Sequence, residues 1–417
     1  MNPTVLFVAE VSPCPPYGGE RIHIYNLIES LSQHFNVVVL ANKVSPDCDL
    51  LPKLALTKEG LAAWYNLPRY NTALWAKAYN FRAVLKPRPA WVRCLEEIIS
   101  EHQPQVAWFS YGHWGQYAPI VQRLGVRAIM GTHNIQSQLT RQRAANTPFG
   151  LLYLFTRLRA WAEKRHEEQL FKAFDRIVSV SETNRRYHAQ FVGDERSVLI
   201  PNYINEAHFQ PLRPPSIPPN SGGEGGVRAN NQLIMTGSFS NFQNRQGILW
   251  FLREAWPQIR LKLPQAKLQL VGKGAQKLPS PVCQTAGVEC IGEVSTVTPY
   301  LRRATLAIVP LLHGSGTRLK ILEAWACQTP IVSTTLGAEG LEVSPNENIM
   351  LADEAPAFAQ AVITLLHDAP RRAQMAQNGL KVLRESYTSQ VNTVRVKRQV
   401  EETLSKSAFF RNLHRAC

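Results

Sequence analysis

A short run of apolar residues followed by a stretch with apolar residues at helical spacing recurs along this chain, and this alternation limits its fold more than any other feature. Residues 4–9, Thr-Val-Leu-Phe-Val-Ala, form a nearly continuous apolar run, as expected of a strand buried on both faces. Residues 20–34 then place Ile24, Leu27, Ile28 and Leu31 on one helical stripe. Further strands are expected near 36–40, 105–109, 127–131, 176–180 and 197–200. The second half repeats the theme, with strands expected at 232–236, 267–271, 288–291, 305–310, 330–333 and 348–351, and helices at 247–263 and 318–327. Strand and helix patterns in alternation imply an α/β fold with parallel sheets.

The chain has 417 residues, enough for two domains. Residues 211–231 are rich in proline and then in glycine, a composition suited to a linker or loop rather than a core element. The expected division is 1–210, a first Rossmann-like domain; 211–231, the linker; 232–388, a second Rossmann-like domain; and 389–417, a polar helix crossing the domain junction with a tail. Two such domains are expected to face each other across a cleft at the carboxyl ends of their strands, where open α/β sheets bind ligands.

The formal net charge of +15 favours anionic partners. No nucleic-acid module has a recognisable signature. The cysteines at 14, 48, 94, 283, 290, 327 and 417 are scattered and odd in number; Cys283 and Cys290 are too far apart for a CxxC clip. This reads as a reduced, cytoplasmic protein. No apolar run is long enough to span a membrane. The run at 4–9 lacks the basic leader of a signal peptide. A nicotinamide dinucleotide site is disfavoured, because residues 10–21 lack G-x-G-x-x-G.

The segment richest in chemistry is Gly314-Ser315-Gly316-Thr317-Arg318-Leu319-Lys320-Ile321-Leu322-Glu323. It follows an expected strand and opens an expected helix, which Ser315 or Thr317 can cap. Glycines let a backbone approach a ligand, and a helix N-terminus offers free N–H groups and partial positive charge, which suits an anion. Arg318 and Lys320 are expected in the first turn, where the helix dipole disfavours cations by about 0.3–1 kcal/mol each. A bound pyrophosphate reverses that penalty. Glu323 lies one turn deeper, on the face of Lys320, where a carboxylate can accept hydrogen bonds from sugar hydroxyls.

The stretch Gly314–Leu341, with Leu-Glu-Ala-Trp-Ala-Cys-Gln-Thr-Pro-Ile-Val-Ser-Thr inside it, resembles the retaining family 4 glycosyltransferases of GT-B fold (glycosyl transferases group 1). Other segments resemble the same family in the same order: Asp175–Glu182, Ile200-Pro201-Asn202 with Phe209 and Pro211, Thr236-Gly237-Ser238 followed by Asn244, Val271-Gly272-Lys273-Gly274, and Gly292-Glu293-Val294. The resemblance covers nearly all of residues 4–390. It implies a nucleotide-sugar donor held by the second domain, an acceptor held by the first, retention of anomeric configuration and no metal or other cofactor. By this resemblance Glu323 is the ribose-binding glutamate, and Gly272, Ser238 and Asn244 belong to the donor site. Two departures stand out. Ser315 occupies the place of the family's donor-sugar glutamate, whose contact the amides of Gly316 and Thr317 are expected to replace. Of the family's Arg and Lys pair, which falls near Ser238 and Arg245-Gln246, only Arg245 keeps a charge. Arg318, Lys320 and Arg245 are therefore expected to neutralise the diphosphate, since the leaving group gains negative charge as the glycosidic bond breaks.

In the first half, Gly18-Gly19 joins the first strand to the first helix and is expected to bring backbone amides to phosphate or acceptor. His133 follows an expected strand and resembles the family histidine that hydrogen-bonds the transferred sugar. Asp47-Cys48-Asp49 looks like a metal motif but reads as a solvated loop. Glu167-Glu168 reads as a solvent-facing charge ladder. Residues 60–95 hold six cations, seven aromatics and no acid, and Arg143, Arg157, Arg159 and Lys164 surround a second apolar segment, 149–155. Such composition suits an anionic membrane surface, here the inner face of the plasma membrane, and a glycan or lipid-linked acceptor. The leading expectation is transfer of a hexose-type sugar from a UDP- or GDP-sugar in polysaccharide or glycoconjugate synthesis. The alternatives are a catalytically silent scaffold of the same fold and a related GT-B enzyme such as a sugar-nucleotide epimerase.

Overall fold

The computed structural model describes residues 2–9, 11–13, 19–41, 61–66, 87–110, 112–133, 135, 137–138, 140–141, 150–209, 231–314 and 316–415. The expectations about Gly18, Asp47–Asp49, Ser315, the segment 211–230 and most of the cations and aromatics of 67–86 lie outside them. The chain forms two compact units. Unit 1 comprises 1–16, 20–201 and 392–417; unit 2 comprises 17–19 and 202–391.

Unit 1 is built on a seven-stranded sheet in the order β3-β2-β1-β4-β5-β6-β7. Its strands are β1 (Thr4–Ala9), β2 (Asn36–Ala41), β3 (Leu61–Asn66), β4 (Val106–Ser110), β5 (Arg127–Thr132), β6 (Arg176–Ser179) and β7 (Ser197–Leu199). Every pairing is parallel. Val5 through Ala9 are fully buried, as a continuous apolar run requires when helices cover both faces. β3 was not anticipated. It lies within the basic and aromatic stretch, and part of that stretch is core rather than surface: Tyr65 and Trp91 pack against the apolar cluster of Leu6, Val38, Phe109 and Tyr117. The Tyr65 hydroxyl donates to Glu101 at 2.7 Å.

Unit 2 is a six-stranded parallel sheet in the order β10-β9-β8-β11-β12-β13. Its strands are β8 (Gln232–Thr236), β9 (Lys267–Val271), β10 (Val288–Gly292), β11 (Leu306–Val309), β12 (Ile331–Ser333) and β13 (Met350–Leu351). In both sheets a central strand is flanked by its successor on one side and a later strand on the other. That reversal of strand order creates the switch point where α/β sheets bind ligands. In unit 2 it lies between β8 and β11, so the loops after these two strands, 237–241 and 310–318, are placed side by side.

Three further expectations change. The helix foreseen over 247–263 begins at Phe242 and has a π turn at Phe251–Ala255. Pro257 follows that turn; it lacks an N–H and crowds the preceding helical carbonyls, which displaces the regular bonding. Cys283 and Cys290 are joined by a disulfide, with their Cα atoms 5.8 Å apart, contrary to the expectation of wholly reduced cysteines. The turn after the helix Ser280–Cys283 folds the chain back into β10, so seven residues of separation become direct contact. Glu167 is not a solvent-facing ladder residue. Its carboxylate accepts from Ser137 N at 3.2 Å, from the Ser137 hydroxyl at 2.5 Å and from the Tyr187 hydroxyl at 3.3 Å. The C-terminal helix Ser389–Arg415 is tied to unit 1 from Asn392 onward: Thr393 meets the Ser30 hydroxyl at 2.9 Å, and buried Arg176 reaches Gln399 and Glu402, each at 2.9 Å.

Candidate functional site

The site in unit 2 is assembled from the loops after β8, β9 and β11 and the helix Leu319–Ala326. Gly237 directly follows β8 with φ +133°, a region open to glycine, and a Cβ there would lie 2.9 Å from Asn244 Nδ2 and 3.0 Å from Lys320 Nζ. Gly272 directly follows β9 with φ +136°, and a Cβ there would collide with the Gly237 carbonyl oxygen. The two glycines let the β8 and β9 loops stack backbone on backbone. Gly237 N donates to Val271 O at 3.0 Å, and Phe239 N to Lys273 O at 2.8 Å.

Asn244 is buried in the first turn of the helix Phe242–Trp250. Its Nδ2 donates to Ser238 O at 2.8 Å, and its Oδ1 accepts from Lys320 Nζ at 2.7 Å. Ser238, Asn244 and Lys320 thus form one chain of hydrogen bonds. Lys320 makes no ion pair with Glu323 within 4 Å among the described residues, so the pairing suggested by their spacing is replaced by the bond to Asn244. Burial, with the Arg318 cation nearby, lowers the Lys320 ammonium to about 7. Burial raises the Glu323 carboxyl to about 7, against the pull of Lys320. Both shifts have the same physical origin: two ionisable groups held away from water without full compensation.

The Gly314–Arg318 loop departs from expectation in one respect. The helix begins at Leu319 with Arg318 as its N-cap, φ −106° and ψ 101°, and no side chain caps it. Thr317 is not the cap; its hydroxyl oxygen is buried without a hydrogen-bond partner. Its carbonyl instead accepts from Asn202 Nδ2 at 3.4 Å. Arg318 therefore precedes the first turn. Its Nη1 donates to Gly316 O at 2.7 Å, folding the guanidinium back along the loop. Gly314, at φ +131°, leaves room for that guanidinium: a Cβ there would lie 2.6 Å from Nη2.

One neighbour was not identified from the sequence. Glu339, after β12, is near enough to Arg318 that the two oppose each other's shifts: burial raises the carboxyl and lowers the guanidinium, and their mutual attraction counters both. One Glu339 oxygen is buried without a hydrogen-bond partner. Nothing in local periodicity marks this residue, since it reaches the loop only through the order of strands in the sheet.

The other expected residues are placed as follows. Arg245 is exposed and stands one residue beyond Asn244 on the helix. Gly19 opens the helix Gly19–Ser32 and is exposed. In unit 1, His133 directly follows β5. Its Nε2 lies 3.4 Å from the Ser110 hydroxyl at the end of β4, and its ring meets His23 edge-on at 4.1 Å. Burial lowers His133 to about 4, so it is neutral at neutral pH and suited to hydrogen bonding rather than charge.

Residues 17–208 match Glycosyltransferase Family 4, and residues 230–368 match Glycosyl transferases group 1. A GDP-mannose-dependent monoacylated alpha-(1-6)-phosphatidylinositol monomannoside mannosyltransferase from Corynebacterium glutamicum is 22% identical over 313 residues, 72% of this chain and 76% of that protein. The chain spans 60% and 49% of the length of two other curated relatives. Among solved structures, sucrose-phosphate synthase from Thermosynechococcus elongatus superposes with a TM-score of 0.71 at 17% identity, covering 97% of this chain and 100% of that one. Anabaena HepE in complex with UDP and glucose superposes with a TM-score of 0.67 at 17% identity, covering 97% and 99%. These likenesses give the GT-B fold. With both halves matched in order, the chain belongs to the group 1, family 4 glycosyltransferases.

Proposed function

We propose that this protein transfers a hexose-type sugar from a UDP- or GDP-sugar to a glycan or lipid-linked acceptor, with retention of configuration and without a metal ion. The observation that carries the reading is Lys320, a buried ammonium held by Asn244 beside Arg318 at the start of a helix. A diphosphate supplies the close anionic partner that Lys320 lacks among the described residues, and the peptide dipoles of the helix add to the attraction.

The reaction follows from where charge develops. As the bond from sugar to diphosphate breaks, negative charge grows on the leaving phosphate oxygens. Lys320, with Arg318 donating from the N-cap, stabilises that charge without rearranging, because both are already positioned by Asn244 and Gly316. The amides of Gly316 and Thr317, with the unpartnered Thr317 hydroxyl, bind the phosphate or the sugar. Glu323 accepts from the ribose hydroxyls. Ser238, Asn244 and Gly272 shape the pocket, and Arg245 adds charge from the surface. His133, as the neutral imidazole, hydrogen-bonds the transferred sugar, and Gly18-Gly19 contribute backbone amides. The UDP and glucose held by HepE and the GDP-mannose dependence of the corynebacterial enzyme support a nucleotide-sugar donor in general.

Ser315, in the place of the family glutamate, favours a second reading: a scaffold that no longer transfers sugar. A thermal-shift panel of nucleoside diphosphates and their sugars separates the two. The enzyme is stabilised by one base class and loses that response in Glu323→Ala; a scaffold responds to none.

A further inference from the structure

The helix Leu151–Lys172 of unit 1 carries an unusual surface. Leu154, Phe155, Leu158 and Trp161 are 54%, 64%, 58% and 57% exposed, and they are four of the eight large apolar side chains exposed among the described residues. Their spacing, with steps of one, three and three, gathers them along one flank of a helix. The opposite flank carries Ala160, Phe171 and Glu167, which are buried or bonded into the unit. The apolar stripe therefore points away from the core. A soluble surface seldom displays so many large apolar groups together without a partner.

The charges around the stripe identify the partner. Arg157 borders it and Arg165 continues it one turn beyond Trp161, and both lie over aromatic rings: Arg165 at 4.5 Å from the Trp161 ring centroid and Arg157 at 5.6 Å from that of Tyr153. Arg159 and Lys164 border it on either side. Of the nearby acids, Glu163 lies on the inner flank, 2.8 Å from Arg159, and Glu167 is bonded to Ser137. Only Glu168, 3.9 Å from Lys164, lies toward the outer face. The surface is thus apolar along its crest and positive along its borders. A second copy of this chain would set like charges against each other across a symmetric contact. An anionic lipid leaflet matches both features, since apolar side chains enter the acyl boundary while arginine and lysine meet the head groups.

We infer that the outer face of the helix Leu151–Lys172 is a docking surface for an anionic membrane leaflet, with Leu154, Phe155, Leu158 and Trp161 as the inserted residues. This places a membrane contact on one described helix face; of the basic, aromatic stretch, Tyr65 and Trp91 pack against the core instead. The inference does not depend on the donor reading, because it concerns unit 1 and needs no catalysis. None of the described helices is long and apolar enough to cross a membrane, so the contact is interfacial.

Flotation of the full chain with phosphatidylcholine vesicles, with and without phosphatidylglycerol, tests it. The wild type should float with the anionic vesicles at low salt, with blue-shifted tryptophan emission, and should be released by high salt. Leu158→Ser/Trp161→Ser should lose about tenfold or more of this binding. Arg157→Glu/Lys164→Glu should lose it while leaving the apolar stripe intact, a control against misfolding of the first variant. Both variants should keep the wild-type nucleotide-induced thermal shift, which separates this surface from the donor site. Equal flotation of wild type and variants, or no wild-type binding at low salt, would overturn the inference. So would a wild-type dimer that the serine variant converts to monomer, since the stripe would then belong to a second copy.

Discussion

Replacing Lys320 with methionine keeps most of the apolar stem of the side chain and removes its charge and its bond to Asn244. If Lys320 holds the diphosphate, the loss is that of a charge-assisted hydrogen bond, about 1.5–3 kcal/mol. At 1.4 kcal/mol per tenfold, nucleoside diphosphate binding should weaken about ten- to 150-fold. The pH dependence is sharper evidence. The ammonium of the free protein titrates at about 7 rather than 10.5. A diphosphate binds the protonated form, so affinity should fall roughly tenfold per pH unit above about 7 until the pKa of the complex is reached. Above this pH the phosphates are already fully ionised and contribute no slope. Glu323 also titrates at about 7, so the measurement belongs in the Glu323→Gln background, where the remaining slope is that of the lysine. Isothermal titration of UDP and GDP between about pH 7 and about 9 should show this slope, with proton uptake on binding, and Lys320→Met should abolish both. Stability should move the other way. A lysine whose folded pKa lies below its unfolded one contributes stability above 10.5 that is lost as pH falls through about 7. The ligand-free methionine variant should therefore be as stable as wild type at neutral pH, or more so. A Kd within about twofold of wild type, with the same pH slope, would refute the assignment.

Two further outcomes follow from the geometry. Gly272→Ala forces a Cβ toward the Gly237 carbonyl at φ +136° and should cost about 3 kcal/mol in urea unfolding, with loss of nucleotide binding; a cost below about 0.5 kcal/mol would show that the stacked loops relax freely. His188 is fully buried against Phe171, with Nδ1 2.7 Å from the Ser179 hydroxyl, and burial holds it near 3. Its folded pKa lies below the unfolded 6.5, so its contribution is present above 6.5 and lost as pH falls toward 3; by pH 4 the loss should reach about 3 kcal/mol, and His188→Gln should flatten that part of the stability curve.

Most strands were readable from the chain because they are short apolar runs bounded by turn residues; β9 and β10 carry polar residues and are only partly buried. β3 escaped notice because Leu61–Asn66 opens a stretch whose many cations and aromatics read together as a surface patch. The donor site was partly readable. The glycines and cations of 314–320 lie close together in sequence and break a local rule of helix electrostatics, which marks them. Their partners are not local. Asn244 lies 76 residues from Lys320, and nothing in the spacing of either announces the bond between them.

The alternating α/β architecture, the two halves and the cationic glycine loop are legible in the residue order, because periodicity and helix-end chemistry act over a few residues. Which groups share a site depends on packing between distant segments. That packing joined Lys320 to Asn244, left the Thr317 hydroxyl without a partner, brought Glu339 toward Arg318 and placed Arg245 at the surface. It also closed Cys283 onto Cys290, turned Glu167 inward and Trp161 outward. The physical reason is the same in each case: strand order and helix rotation set which distant residues meet, and burial then sets their charge.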